Sequence, residues 1–205
     1  MTNSTESTYP APARLGDGKV AVVSGASTGI GEATVERLRA SGWTVYAVAR
    51  REDRLAELGL QLPDVAAPLA AYAPAVTTGN HVYTAGQLPL VSGSLPQTGV
   101  VSDSGAEGTV DPQRAAELAE RCALNALAAV KSQIGELERI RRIVKVTGFV
   151  ASAPDFFAQP AVVDGASQLL GRVFGDVGVH ARSAVGVSVL PLNSPVEVEL
   201  IVEFG

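Results

Sequence analysis

Cysteine, histidine and aromatic side chains are scarce in this sequence. Of its 205 residues one is cysteine, two are histidine, one is tryptophan, and aromatics make up 5%. A single thiol, Cys122, allows no intrachain disulfide, which fits a reduced, cytoplasmic setting. One cysteine and two isolated histidines form no ligand cluster, so no metal is expected. Positive charge is also in deficit, with 16 Lys and Arg against 21 Asp and Glu and a net charge of −5. That balance argues against a nucleic-acid surface held by phosphate contacts, though it leaves room for a small basic pocket. No apolar run approaches the roughly 20 residues of a membrane span. Met1 to Ala13 is polar, without the apolar stretch of a signal peptide, and residues 1–15 read as a disordered tail. What is plentiful is apolar material: 46% hydrophobic against 18% charged residues is enough to bury a real core.

The order of elements follows from periodicity and punctuation. Val20 to Ser24 is a short apolar strand leading into Gly25-Ala26-Ser27-Thr28-Gly29-Ile30-Gly31. A helix follows to Ala40, stopped by Ser41-Gly42, and Trp43 to Ala49 reads as a second strand. Glu52 to Leu58 looks helical. Beyond it, Ala71 to Thr77 and His81 to Ala85 flank a tight Gly79-Asn80 turn, the pattern of a β-hairpin. Val91 to Thr109 is rich in Gly, Ser and Thr and is expected to be a long surface loop. Asp111-Pro112 starts a helix, because Asp caps and Pro fits the first turn. Leu118, Cys122, Ala126, Val130 and Ile134 then form one apolar stripe, which Gly135 ends. Ile140 to Val150 is a strand with Val144, Val146 and Val150 on one face, Ala161 to Phe174 a helix, and Ala184 to Leu190 a strand. After a turn at Pro191 to Pro195, Val196 to Phe204 alternates strictly, with Glu197, Glu199 and Glu203 on its polar side. The order ββαβαββ places helices on one side of a mostly antiparallel sheet, an α+β fold.

Two family resemblances attach to these segments. Gly25, Gly29 and Gly31 lie between a strand and a helix, where backbone N–H groups can approach a pyrophosphate. Their spacing resembles the Thr-Gly-x-x-x-Gly-Ile-Gly motif of short-chain dehydrogenases, with Ser24 in place of Thr, over about Lys19 to Leu55. That resemblance implies an incomplete Rossmann-like βαβ segment (residues 16–54), with Arg50 at the strand end where an NADP 2′-phosphate would be read. The motif is compatible with dinucleotide binding or with a remnant that no longer binds. The second is favoured, since a Rossmann half needs covered strands. The dehydrogenase Tyr-x-x-x-Lys pair is missing too: Tyr46, Tyr72 and Tyr83 have no Lys four residues on. No cofactor is therefore expected, and NADP is the one this motif would take. Whether Arg50 to Leu58 closes this unit or opens the next is left open.

Residues 55–205 resemble the RidA/YjgF family. The matching pieces are Ala71-Tyr72, Tyr83-Thr84-Ala85-Gly86-Gln87-Leu88-Pro89, Val144-Lys145-Val146-Thr147-Gly148-Phe149-Val150, Ala181-Arg182-Ser183-Ala184-Val185 and Val196-Glu197-Val198-Glu199. The resemblance implies a chorismate-mutase-like fold and a homotrimer with clefts between subunits. It also implies hydrolysis of enamine or imine intermediates such as 2-aminoacrylate to 2-keto acids and ammonia. The partners are then a small imino or keto acid and other copies of the chain, with no nucleic acid and no membrane. Arg182 would anchor the substrate carboxylate through its planar fork, and Glu197 would orient or deprotonate the attacking water. Tyr72, Ala85, Gly86 and Asp164 would line the substrate site. Three positions depart from the family pattern: Ala184 where Cys is common, Ala85 where Ser is common, and Asp164 where Asn is common. They leave open a binding or regulatory protein that uses the same cleft without turnover. An endoribonuclease is disfavoured by the negative charge and scarce aromatics.

Overall fold

The computed structural model of the chain describes residues 16, 18–24, 29–48, 51–65 and 71–205. The chain divides into two compact units, residues 1–54 and 55–205. In the first, strands β1 (Val20–Ser24) and β2 (Thr44–Val48) pair in parallel, joined through helix α1 (Gly29–Ala40). Gly42 ends the helix at φ +86°, and the Trp43 N–H reaches back to the Leu38 carbonyl at 3.0 Å. The pair is poorly covered for a parallel sheet: Val22 is 70% and Tyr46 61% exposed. The predicted tail and Gly25, together with Arg50, lie outside the described residues; Gly29 and Gly31 open α1.

Helix α2 (Arg51–Glu57) spans the division between the units, and its Leu55 is 1% exposed in the hydrophobic core of the second. Leu58, Leu60 and Leu62 pack on that same core. The stretch whose ownership the sequence left open therefore contributes its apolar side chains to residues 55–205. An open recess lined by Ala56, Leu60, Arg121 and Leu124, and another by Leu62, Val65, Ala128 and Gly135, show this stretch following helix α3 (Pro112–Ile134).

The second unit is built on a five-stranded sheet in the order β3-β4-β9-β7-β8. These are Ala75–Thr78, His81–Thr84, Val196–Phe204, Ile140–Ala151 and Ala181–Val187. All neighbours are antiparallel except β7 and β8, which are parallel. The predicted loop between residues 91 and 109 holds a small parallel pair, β5 (Val100–Val101) and β6 (Thr109–Val110). Helices α3 and α4 (Gln159–Phe174) cover one sheet face. Asp111 caps α3 through its carboxylate, which accepts from the Gln113 and Arg114 N–H groups at 2.8 and 3.2 Å. The predicted stripe on α3 is buried, and so are Ala123, Leu124, Leu127 and Ala128. The helix meets the sheet, α4 and the apolar stretch after Leu55, so more than one face is dry. Its alanines permit close approach. A β-carbon on Gly165 of α4 would lie 1.9 Å from the Ala116 carbonyl oxygen.

Two predicted strands need correction. On β7 Ile143, Val146 and Val150 are buried, while Val144 is only partly buried. A register shift between Ile143 and Lys145 inserts one residue, which reverses the alternation there. Strand β8 begins at Ala181 rather than Ala184 and ends at Val187, where its pairing with Ala151 of β7 stops. Arg182 therefore lies inside the strand, opposite Val146. Among the described residues no helix is long and apolar enough to cross a membrane.

Candidate functional site

The strand register assigns each candidate residue to a side of the sheet, because laterally paired residues project to the same face. Val146 is fully buried against the helices, so Arg182, its partner, also projects to the helix side. Glu197 alternates with the buried Val196 and Val198 and projects to the other side, beside Phe149. The structure thus separates Arg182 from Glu197 by the thickness of the sheet.

On the open side, a bulge shapes the first half of the site. Tyr83 pairs with Ile201 and Gln87 with Val198, so β4 and its extension carry one more residue than β9 over the same span. The Thr84 hydroxyl oxygen accepts the Leu200 N–H at 2.9 Å, replacing a lost ladder bond. Gly86, at this irregularity, has no hydrogen-bond partner for its N–H or C=O among the described residues, while Gln87 regains the ladder with Val198. A β-carbon on Gly86 would stand 1.6 Å from Glu197 Oε1, so the absence of a side chain there is what admits the carboxylate. Tyr72, Ala85, Gly86, Glu197 and Glu199 line one recess of about 580 Å³, together with Tyr83 and Pro191. Burial raises the Glu197 pKa first, and the like charge of Glu199 raises it further; burial also raises that of Glu199. Glu199, which the sequence places only on the polar side of the strand, is therefore a member of the recess. Period-two spacing from Glu197 is the signal that pointed to it. Among the described residues no Lys, Arg or His lines this recess.

The second half gathers on the helix side, at the edge strand β8. Arg182 Nη1 donates to Asp164 Oδ1 at 2.5 Å and to Ser167 Oγ at 3.1 Å. Asp164 and Ser167 are three residues apart on α4 and so share a helix face. His180 Nδ1 lies 2.6 Å from the Gly178 carbonyl and Nε2 3.0 Å from Ser167 Oγ. A carbonyl only accepts, so Nδ1 carries a proton. In the neutral ring Nε2 then accepts the Ser167 hydroxyl, leaving that oxygen to accept from Arg182. Sequence reasoning missed Ser167 and gave His180 no hydrogen-bonding role. Ala184 projects beside Gly148 on the same side, partly buried against the core. Cys122 is fully buried and burial lifts its thiol pKa, as befits a core residue. Among the described residues no group of three His, Cys, Asp or Glu could hold a metal ion.

Residues 52–204 match the family described as "YjgF/chorismate_mutase-like, putative endoribonuclease". The chain belongs to this YjgF family. Protein TCP17 of Trypanosoma cruzi is 41% identical over 163 residues, 79% of this chain and 99% of that protein. The 2-iminobutanoate/2-iminopropanoate deaminase of Dermatophagoides farinae is 31% identical over 136 residues, 66% of this chain and 87% of that enzyme. A crystal structure from Agrobacterium tumefaciens, of a protein of unknown function, superposes with TM-score 0.69 at 46% identity. It covers 76% of this chain and 92% of that one. Another, from Shewanella oneidensis and named an endoribonuclease on a provisional basis, gives 0.71 at 35% identity, over 76% and 99% of the two chains. The YjgF fold is thus the fold of the second unit. The N-terminal segment is similar to an uncharacterized oxidoreductase of Mycobacterium tuberculosis, 59% identical over 44 residues. Those residues are 22% of this chain and only 18% of the oxidoreductase.

Proposed function

We propose that residues 55–205 hydrolyse reactive 2-imino and 2-enamino acids of the 2-aminoacrylate type to 2-keto acids and ammonia. The site would be shared between copies of the chain in a homotrimer. One observation carries this reading: the charges such a substrate needs lie on opposite sides of the sheet. An imino acid offers a carboxylate and an electrophilic carbon. Among the described residues the recess at Tyr72, Gly86 and Glu197 has acids and no cation, while Arg182 has the cation on the helix side. A recess from one copy facing the β8 edge of another brings both together. The open sheet face supports association, since Val76, Tyr83 and Val185 on it are 53%, 40% and 43% exposed.

The chemistry balances with water alone. The enamine tautomerises to the imine, water adds to the imine carbon, and expulsion of ammonia leaves the keto acid. Glu197, with its raised pKa, suits a group that takes a proton from the water and returns one to the departing nitrogen. Arg182 would hold the carboxylate throughout, and Tyr72 and the unpaired Gly86 backbone would bound the cleft. The similarity to the mite deaminase supports the reaction class. Endoribonuclease activity is disfavoured, because an acidic recess repels phosphate. The βαβ unit and NADP enter no step.

A second reading, a binding protein that does not turn over, draws on the Asp164 carboxylate bonded to Arg182. The test is decay of freshly generated 2-iminopropanoate for wild type, Arg182→Ala and Glu197→Gln. Loss of a charge-assisted contact of about 2–5 kcal/mol should slow Arg182→Ala by roughly 30-fold to several thousand-fold. Co-assembling the two inactive variants should restore part of the activity, since some clefts then combine an intact Arg182 with an intact Glu197. Equal rates for wild type and Arg182→Ala would shift the assignment to the binding protein.

A further inference from the structure

Arg121 on α3 is a cation without a partner anion among the described residues. Its Nε donates to the Leu90 carbonyl at 3.0 Å, which fixes one edge of the guanidinium. Asn125, one turn further on, donates to the same carbonyl at 3.2 Å and to that of Leu88 at 2.8 Å, so the anchor is itself held. Nη1 and Nη2 have no partner among the described residues. The two acids of the same helix are engaged elsewhere, Glu117 with Arg114 and Glu120 with Arg172, each at 2.7 Å. Burial lowers the Arg121 pKa, with the Cys122 thiol opposing it, yet an arginine keeps its proton. A charge that has lost water and gained no counter-ion favours one from outside. Arg121 lines the recess of about 380 Å³ between α3 and the stretch after Leu55. Ala56, Leu60 and Leu124 give that recess apolar walls, Gln61 adds an amide, and no acid lines it among the described residues. It shares no residue with the recess at Glu197.

We propose that this recess binds a small aliphatic monocarboxylate, with the carboxylate on the Nη1 and Nη2 edge of Arg121 and the chain against Ala56, Leu60 and Leu124. The two halves of such a ligand match the two halves of the site. A planar carboxylate accepts two parallel bonds from one guanidinium edge. The chain withdraws apolar wall from water, which an inorganic anion does not do, and each methylene it buries is worth about fourfold in affinity. A neutral alcohol of the same length leaves the guanidinium unpaired. The site is independent of the proposed imine hydrolysis and of Arg182.

The test is calorimetric titration of the intact chain with hexanoate, with acetate as the charge lacking the chain and hexanol as the chain lacking the charge. Hexanoate should bind saturably and at least about tenfold more tightly than either control. Arg121→Gln should weaken it by about tenfold or more. Ala56→Asp, at an exposed position of the same wall, should do likewise by setting a carboxylate in the recess, and it stands in for Arg121→Gln should that variant not fold. Arg182→Ala should leave hexanoate binding unchanged, which separates this site from the proposed substrate anchor. Absence of saturable binding, equal affinity for hexanoate and hexanol, binding unchanged in both recess variants, or binding lost in Arg182→Ala would each overturn the proposal. Hexanoate binding with this pattern but without imine hydrolysis would leave the proposal standing and remove only the deaminase reading.

Discussion

Replacing Gly86 by alanine should disable the site while sparing the fold. The new methyl carbon would stand 1.6 Å from Glu197 Oε1, 2.6 Å from Cδ and 3.0 Å from Cγ. Ordinary contact begins near about 3.5 Å, so the carboxylate oxygen must retreat by on the order of 2 Å. The obstructing atoms end a flexible side chain, and the backbone need not move. A rotamer change of this kind costs about 0.5–1.5 kcal/mol, leaving the melting temperature within a few degrees of wild type. Catalysis is less forgiving, because a misplacement of about 1 Å can cost 100-fold. Gly86→Ala should therefore slow imine hydrolysis by about 100-fold. The measurement is loss of enzymatically generated 2-iminobutanoate against its spontaneous decay, with thermal melts of the same preparations. A variant as fast as wild type would refute the role given to the Glu197 carboxylate. A variant that unfolds would refute the claim that only a side-chain tip is in the way.

Other substitutions separate the remaining parts of the argument. Gly165→Ala should destabilise the second unit by about 3 kcal/mol in urea, because its new methyl meets the Ala116 backbone rather than a movable side chain. Leu55→Ala should cost about 2–5 kcal/mol in the same transition, since the side chain is 1% exposed in that core; no change would place the residue outside it. The third concerns pH. Glu197 and Glu199 have folded pKa values raised above their unfolded ones, so their contribution favours folding most fully below the unfolded values, near about 4.3. It fades as pH rises through the raised folded values. Glu199→Gln removes one such charge and relieves Glu197, so its melting temperature should exceed wild type at pH 8, with the gap closing toward pH 4. A gap independent of pH would rule out the electrostatic cause.

Local patterns in the sequence were sufficient wherever one element decides its own form. The strict alternation of Val196 to Phe204, the Asp111-Pro112 helix start, the Gly79-Asn80 hairpin and the stripe from Leu118 to Ile134 all have counterparts in the fold. Short-range sterics and burial set these periods, and they need no knowledge of a partner. The tertiary structure decided whatever depends on register between distant strands. One extra residue at Val144 moved burial to Ile143, and pairing with β7 drew Arg182 into β8. That pairing fixed the face of the sheet to which Arg182 projects, hence its bond to Asp164 and its separation from Glu197. Glu197, Glu199 and Gly86 meet because a bulge after Tyr83 offsets one strand by a residue. A bulge leaves no periodic mark in its own segment, since it is a mismatch between two strands far apart in the chain.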